Sequence, residues 1–361
     1  MSNFNLYPHN KESYEKIKEG FESSNIVGIV HATGTGKSFN ALEYVSDNTD
    51  ENILYVVPYI GIIEHLKNII AKSGFVLEKD FPNLKFCTYM SFVNLSREEL
   101  KNIKVDTLIL DEFHHLGAPV WGSRINTLIK THSNIKVLGM TAYTVRDRNT
   151  PYERDMANPD TAELFSNHIV SRYDLCDAMV DGVLPKPIYK TAYVNLIEDV
   201  DYLEKRLAKL DHNSSKYIDC EKVLTDVKRQ IANALSMKEL VKKNLKSNGK
   251  YIYFCPMMSE KNVNDIDTIM KEAKGWFLEM GLTEEEIVFY KSTSEMGTLG
   301  KKNREAFYND IDLDNRDTSN KLRVMFAINQ YNEGVHAPNV DGVILGRSTC
   351  SDIVYFEQIG R

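Results

Sequence analysis

Two rhythms alternate along the chain. Short apolar runs without polar interruption recur through its first half, at Ile26–Val30, Ile53–Val57, Leu84–Thr88, Thr107–Leu110 and Ile135–Met140. Runs of this length, rich in Val, Ile and Leu, predict buried strands of a parallel sheet covered on both faces. Between them, Lys37–Val45 and Ile60–Lys72 read as helices. Strand–helix alternation of this kind predicts a doubly wound α/β domain. From about Glu198 to Ser247 the pattern becomes long, charged and helical, with Leu203, Leu207 and Leu210 at helical spacing and a break at Asp211–Ser215. After Gly249 the first rhythm returns, with strands at Tyr251–Cys255, Leu322–Ile328 and Gly342–Leu345 and a polar loop at Asp310–Asn320. The pattern therefore predicts an α/β unit over residues 1–190, a helical connector over 191–248 and a second α/β unit over 249–361. A length of 361 residues also favours more than one domain.

Composition adds exclusions. Hydrophobic residues make up 42% of the chain and charged residues 26%, the balance of a soluble globular protein. No apolar run is long enough to span a bilayer, and the N-terminus lacks the apolar stretch of a signal peptide. Cys87, Cys176, Cys220, Cys255 and Cys350 are scattered, without a CxxC pair. That spacing speaks against a disulfide framework or a zinc site and for a reducing, cytoplasmic setting. A formal charge of −7 requires any nucleic-acid surface to be a local basic groove.

The most informative stretch is His31-Ala32-Thr33-Gly34-Thr35-Gly36-Lys37-Ser38, between the first predicted strand and a helix. Glycines at this point let backbone N–H groups converge on a phosphate chain, and the helix N-terminus adds partial positive charge. Lys37 is then expected to reach the β- and γ-phosphates and the Ser38 hydroxyl to ligate Mg²⁺. His31 departs from the strict P-loop pattern, which has Gly or Ala there. Leu108-Ile109-Leu110-Asp111-Glu112-Phe113-His114-His115 puts two carboxylates at the end of a buried strand, the edge where ligands of open α/β sheets bind. Asp111 is the candidate Mg²⁺ ligand, and Glu112 the candidate base that orients and deprotonates the attacking water. By itself the pair could also be a helix cap beside a surface carboxylate. His114 is expected either to couple the nucleotide site to the rest of the molecule or to pack at the strand end.

With both nucleotide motifs in place, the chain resembles a superfamily 2 helicase of the DExH kind over almost its whole length. Leu6-Tyr7-Pro8-His9-Asn10 is similar to the upstream adenine-contacting motif, with Asn10 in place of Gln. Val56-Val57-Pro58 and Thr88-Tyr89 resemble motifs Ia and Ib, which touch the nucleic-acid strand. Gly139-Met140-Thr141-Ala142-Tyr143 resembles motif III, with Tyr143 for a Thr, and Asp177–Pro185 matches the segment that leaves the first motor domain. Tyr251–Pro256 is similar to motif IV, Asn332–Pro338 to motif V, and Gln358-Ile359-Gly360-Arg361 to the start of motif VI. Asn332–His336 with Arg347-Ser348-Thr349 looks most like motor subunits of restriction enzymes.

The resemblance implies two RecA-like P-loop domains with ATP in the cleft between them. It implies nucleotide contacts for Asn10, Thr33, Gly34, Thr35, Gly36, Lys37, Ser38, Gly334 and His336, and a catalytic arginine at Arg361. It implies DNA or RNA as partner, with a restriction or recognition subunit as a further one. The next arginine of motif VI would fall after Arg361, so the second domain reads as incomplete at its C-terminus. The expected activity is that of an ATP-dependent helicase or translocase. The changed motif III and the absent second arginine favour instead a nucleotide-gated scaffold with weak or uncoupled ATPase activity. Intact Lys37, Ser38, Asp111 and Glu112 favour the motor.

Overall fold

The computed structural model describes residues 4–146, 153–161, 163–186, 188, 190, 196–212, 214–233, 236–256, 266–328 and 337–346. The chain divides into two compact units. The bulk of the first lies in Met1–Lys186, and the second takes in Pro187–Ile328 and Asn339–Gly346.

In the first unit, α1 (Pro8–Ser23) precedes β1 (Ile26–His31), α2 (Lys37–Asp47), β2 (Ile53–Val57), α3 (Ile60–Lys72) and the single turn α4 (Leu77–Asp80). Then come β3 (Leu84–Thr88), the short helices α5 (Tyr89–Val93) and α6 (Arg97–Asn102), β4 (Thr107–Asp111), α7 (Pro119–Thr131) and β5 (Lys136–Thr141). A small antiparallel ribbon, β6 (Val145–Arg146) with β7 (Arg154–Asp155), leads to β8 (Ile169–Tyr173) and α8 (Leu175–Val180). The six long strands form one parallel sheet in the order β3-β2-β4-β5-β1-β8.

The two-residue period of a strand sorts the apolar runs into two cores. Ile53, Tyr55 and Val57 of β2 join residues of α1, α2 and α3, including Ile17, Leu42 and Leu66. Leu54 and Val56 face the other way and join Phe92, Leu100, Ile125 and Leu128 of α5, α6 and α7. Helices thus cover both faces, the arrangement predicted from unbroken apolar strands. Gly139 in β5 has a packing reason: a Cβ there would lie 2.2 Å from the Phe165 ring, which stacks on Phe113 at 4.1 Å.

The second unit begins with α9 (Leu196–Leu207), α10 (Ser215–Asn233) and α11 (Met237–Asn244). Its parallel sheet runs β10-β11-β9-β12, from β9 (Lys250–Phe254), β10 (Ile287–Ser292), β11 (Leu322–Ala327) and β12 (Gly342–Leu345). Two further helices, α12 (Ile266–Leu278) and α13 (Gly297–Tyr308), complete it. Val241 of α11 belongs to the same core as Ile266, Phe277 and Val324, so that helix is part of the domain. At the start of its strands, Asp310 Oδ1 lies 2.8 Å from the buried Lys250 Nζ and 2.7 Å from Arg323 Nη1.

Among the strands of the two parallel sheets, β8 and β10 were not evident from the pattern. Both are edge strands, and each carries polar residues that break an apolar run: Ser171 and Arg172 in β8, Lys291 and Ser292 in β10. The basic patch Lys301-Lys302-Asn303-Arg304 lies inside α13. There Asn303 is buried and accepts from the Lys291 N–H at 3.1 Å, while Arg304 donates to Ser292 Oγ at 2.8 Å. No helix among the described residues is long and apolar enough to cross a membrane.

Candidate nucleotide-binding site

The stretch from Ala32 to Gly36 leaves the C-terminal end of β1 and opens α2. Gly34 and Gly36 both take left-handed backbone angles, φ 84° and 85°. At Gly36 a side chain would be excluded twice, because a Cβ would lie 2.7 Å from the Asn10 amide nitrogen. That amide donates to the Thr35 carbonyl at 2.9 Å, and His9 Nε2 lies 2.7 Å from the same oxygen. Asn10 is 0% exposed. The residue singled out for adenine contact therefore sits beneath the loop as a strut. The exposed ring beside it is Tyr7, stacked on His9, which stacks in turn on Tyr173 at 4.2 Å.

Lys37 follows the loop at the start of α2. It is 8% exposed, with Nζ 3.1 Å from the His31 carbonyl and 3.7 Å from Glu112 Oε1. β5 lies between β1 and β4 in the sheet, so this contact spans the end of β5, where Thr141 stands. The Thr141 hydroxyl lies 3.1 Å from Glu112 Oε2, 2.9 Å from His114 Nδ1 and 2.7 Å from the Tyr143 carbonyl. The Ala142 N–H also donates to Glu112 Oε2, at 3.3 Å. Glu112 is thereby held from the start of α2 and from the end of β5, and His114 hydrogen-bonds to that same end of β5.

Electrostatics separates the two carboxylates. Burial, then the adjacent Glu112 charge, pushes the Asp111 carboxyl above its ordinary value. Burial acts the same way on Glu112, but the Lys37 ammonium and His114 outweigh it and hold that carboxyl low. Glu112 is thus held anionic, while the anionic form of Asp111 is disfavoured and would gain from a nearby cation. Ser38 begins the same helix turn as Lys37 and is half-buried. Tyr55, fully buried in β2, lies close enough to Ser38 and Asp111 for both to affect its ionisation, and its hydroxyl has no hydrogen-bond partner within bonding distance.

Buried polar atoms without partners concentrate here. Among the described residues they include Thr33 Oγ1, Asn10 Oδ1, His31 Nδ1, both side-chain polar atoms of Asn40, and the Tyr55 hydroxyl. Native interiors rarely leave such groups unmet, so their clustering around one loop suits a polar ligand. A hydroxyl and a strand-end carboxylate also suit Mg²⁺, which is held by few protein oxygens plus phosphate and water.

Of the residues expected from sequence, Asn10, Thr33, Gly34, Thr35, Gly36, Lys37, Ser38, Asp111 and Glu112 gather at this sheet edge. Gly334, His336 and Arg361, with the other residues of Asn332–His336, Arg347–Thr349 and Gln358–Arg361, lie outside the described residues. Val56, Val57 and Pro58 are buried, and the exposed residues next to them are Tyr59 and Ile60. Tyr55 and Tyr173 were not singled out, and Tyr89 was named only within the Thr88-Tyr89 pair expected to touch nucleic acid, whereas it is buried. The available signal was a phenol inside an apolar strand or at its end, since a buried hydroxyl seeks a polar partner.

Residues 3–146 match the family model described as Type III restriction enzyme, res subunit. A comparison with curated proteins gave no match. Among solved structures, the fold is similar to that of the ATP-dependent Type ISP restriction-modification enzyme LlaBIII bound to DNA. That match has a TM-score of 0.61 and 16% identity, over 99% of this chain and 26% of that one. It is also similar to the Escherichia coli DEAH/RHA helicase HrpB, with a TM-score of 0.55 and 14% identity, over 93% of this chain and 36% of that one. The chain thus spans between a quarter and two fifths of these larger proteins. Both parallel-sheet units are RecA-like in fold, and over nearly its whole length the chain resembles the cores of a restriction-modification enzyme and a helicase.

Proposed function

We propose that the chain is an ATP-dependent nucleic-acid motor, a helicase or translocase. The carrying observation is the convergence of Lys37 on Glu112 across Thr141, beside a P-loop whose glycines take the angles that phosphate binding needs. In this reading the loop N–H groups, Lys37 and the α2 N-terminus hold the phosphates, and Ser38 and Asp111 hold Mg²⁺. The ion, when bound, neutralises charge on the phosphate oxygens and would favour the ionised form of Asp111. Glu112 accepts a proton from the attacking water, its orientation set by Thr141 and the Ala142 N–H. The exposed Tyr7 ring offers a purine a face to stack on, and the motif resemblance implies further nucleotide contacts for Gly334 and His336 and a catalytic role for Arg361. The similar restriction enzyme is described as bound to DNA, which favours DNA as partner here, with a restriction or recognition subunit as a further one.

The test is ATP turnover with and without single-stranded and double-stranded polynucleotide, for the parent and for Glu112→Gln. The parent should turn over ATP faster with polynucleotide. Glu112→Gln should keep Mg²⁺–ATP affinity and lose turnover. A parent without turnover would refute the motor, and a fully active Glu112→Gln would refute the assignment of the base.

A further inference from the structure

We infer that Tyr89 is a positioning residue that sets the backbone of Glu112 and ties it to the segment expected to touch nucleic acid. The inference rests on the motor reading above and concerns how contact with a polynucleotide reaches the acidic pair.

Glu112 has φ 48° and ψ 55°, the left-handed region that a residue with a Cβ enters only against a steric penalty. Something must hold it there. The peptide between Asp111 and Glu112 is gripped at its carbonyl end by the Tyr89 hydroxyl, which donates to the Asp111 oxygen at 2.9 Å. Rotating that peptide changes φ of Glu112, so this hydrogen bond and the left-handed turn are geometrically coupled.

The donor is itself fixed. Tyr89 is 1% exposed, and its ring lies flat against Trp121 of α7, with centroids 5.1 Å apart and planes at 6°. The His115 ring stands 5.4 Å from Trp121, so the ring cluster returns to the segment that follows Glu112. Tyr89 is also the first residue of α5, capped by Thr88, whose side chain accepts from the Ser91 N–H at 3.1 Å. Met90 and Ser91, next in sequence, are exposed. A ligand that shifts α5 through these residues therefore moves a rigid phenol whose far end holds the catalytic turn.

Tyr89→Phe keeps the ring and removes the hydroxyl. ATP affinity, read with a fluorescent nucleotide and Mg²⁺, should stay within about twofold of the parent, while kcat with saturating single-stranded polynucleotide falls about tenfold, as for loss of one hydrogen bond. Amide hydrogen exchange over residues 111–116 should be faster than in the parent, and polynucleotide should no longer slow it. Unchanged kcat and unchanged exchange would overturn the inference. So would a uniform fall in affinity, kcat and thermal stability, because that marks a purely structural phenol. A parent without turnover would count against the motor reading instead, and the exchange comparison would then decide the role of Tyr89 by itself.

Discussion

At the scale of single residues, the site depends on groups whose surroundings leave little freedom. Gly36 combines a left-handed backbone with a Cβ position 2.7 Å from the amide that braces the loop. Gly36→Ala is therefore expected to cost about 1–2 kcal/mol of stability, the scale of a strained backbone, and to lower nucleotide affinity as the Asn10 strut is displaced. Thermal unfolding and nucleotide titration of the same preparation check this, and parental values in both would contradict it. The motif residues were legible because phosphate chemistry dictates glycine, lysine and hydroxyl at fixed offsets. Their burial was not. Lys37 reads from sequence as a phosphate ligand, yet it is also 8% exposed and offsets the charge of Glu112. Asn10 reads as a base contact and is fully buried under the loop. In both cases the partner is remote in sequence, so no local spacing announces it.

At the scale of elements, the central strands were legible, as were the edge strands β3 and β12, but the edge strands β8 and β10 were not. β1, β2, β4 and β5 are covered on both faces and read as unbroken apolar runs, whereas β8 and β10 pair on one side only and mix polar with apolar residues. That edge also accounts for His31, the departure from the P-loop pattern. Its Nε2 lies 2.9 Å from Ser171 Oγ of β8, its ring leans on Tyr173, and Nδ1 is buried without a partner. Burial, then Lys37, His9 and Lys16, hold the imidazole down to about 3. A base whose value is depressed by folding contributes stability that is complete above its ordinary value, near 6.5, and is lost as pH falls toward about 3. Between pH 7 and pH 5 this group alone should remove about 2 kcal/mol, a loss that His31→Gln should not share. Urea unfolding of both proteins at the two pH values isolates the term, and equal acid sensitivity would show that the fold does not keep His31 neutral.

At the scale of the whole molecule, two parallel-sheet units were legible from the return of the strand–helix rhythm after Gly249. The place of the intervening helices was not, because α11 shares a core with α12 and β11, and such sharing depends on tertiary contact rather than on pattern. Charge sets the last prediction. The chain carries a formal −7, so the mean field repels a polynucleotide, and binding must come from lysines and arginines gathered locally against phosphates. Each phosphate so neutralised releases condensed counterion, so affinity should fall steeply with salt and depend little on base sequence. With about six phosphates engaged, the loss between 50 and 200 mM salt is roughly 10³-fold. Titrations with a labelled oligonucleotide at several salt concentrations, repeated for two unrelated sequences, give the slope directly. A flat slope would mean that the exposed Tyr59, Ile60 and Met90 beside the sheet edge bind bases or another protein, and that the phosphate backbone is not the ligand. A steep slope shared by both sequences is what a motor that moves along a strand requires, since it must hold every register with similar strength.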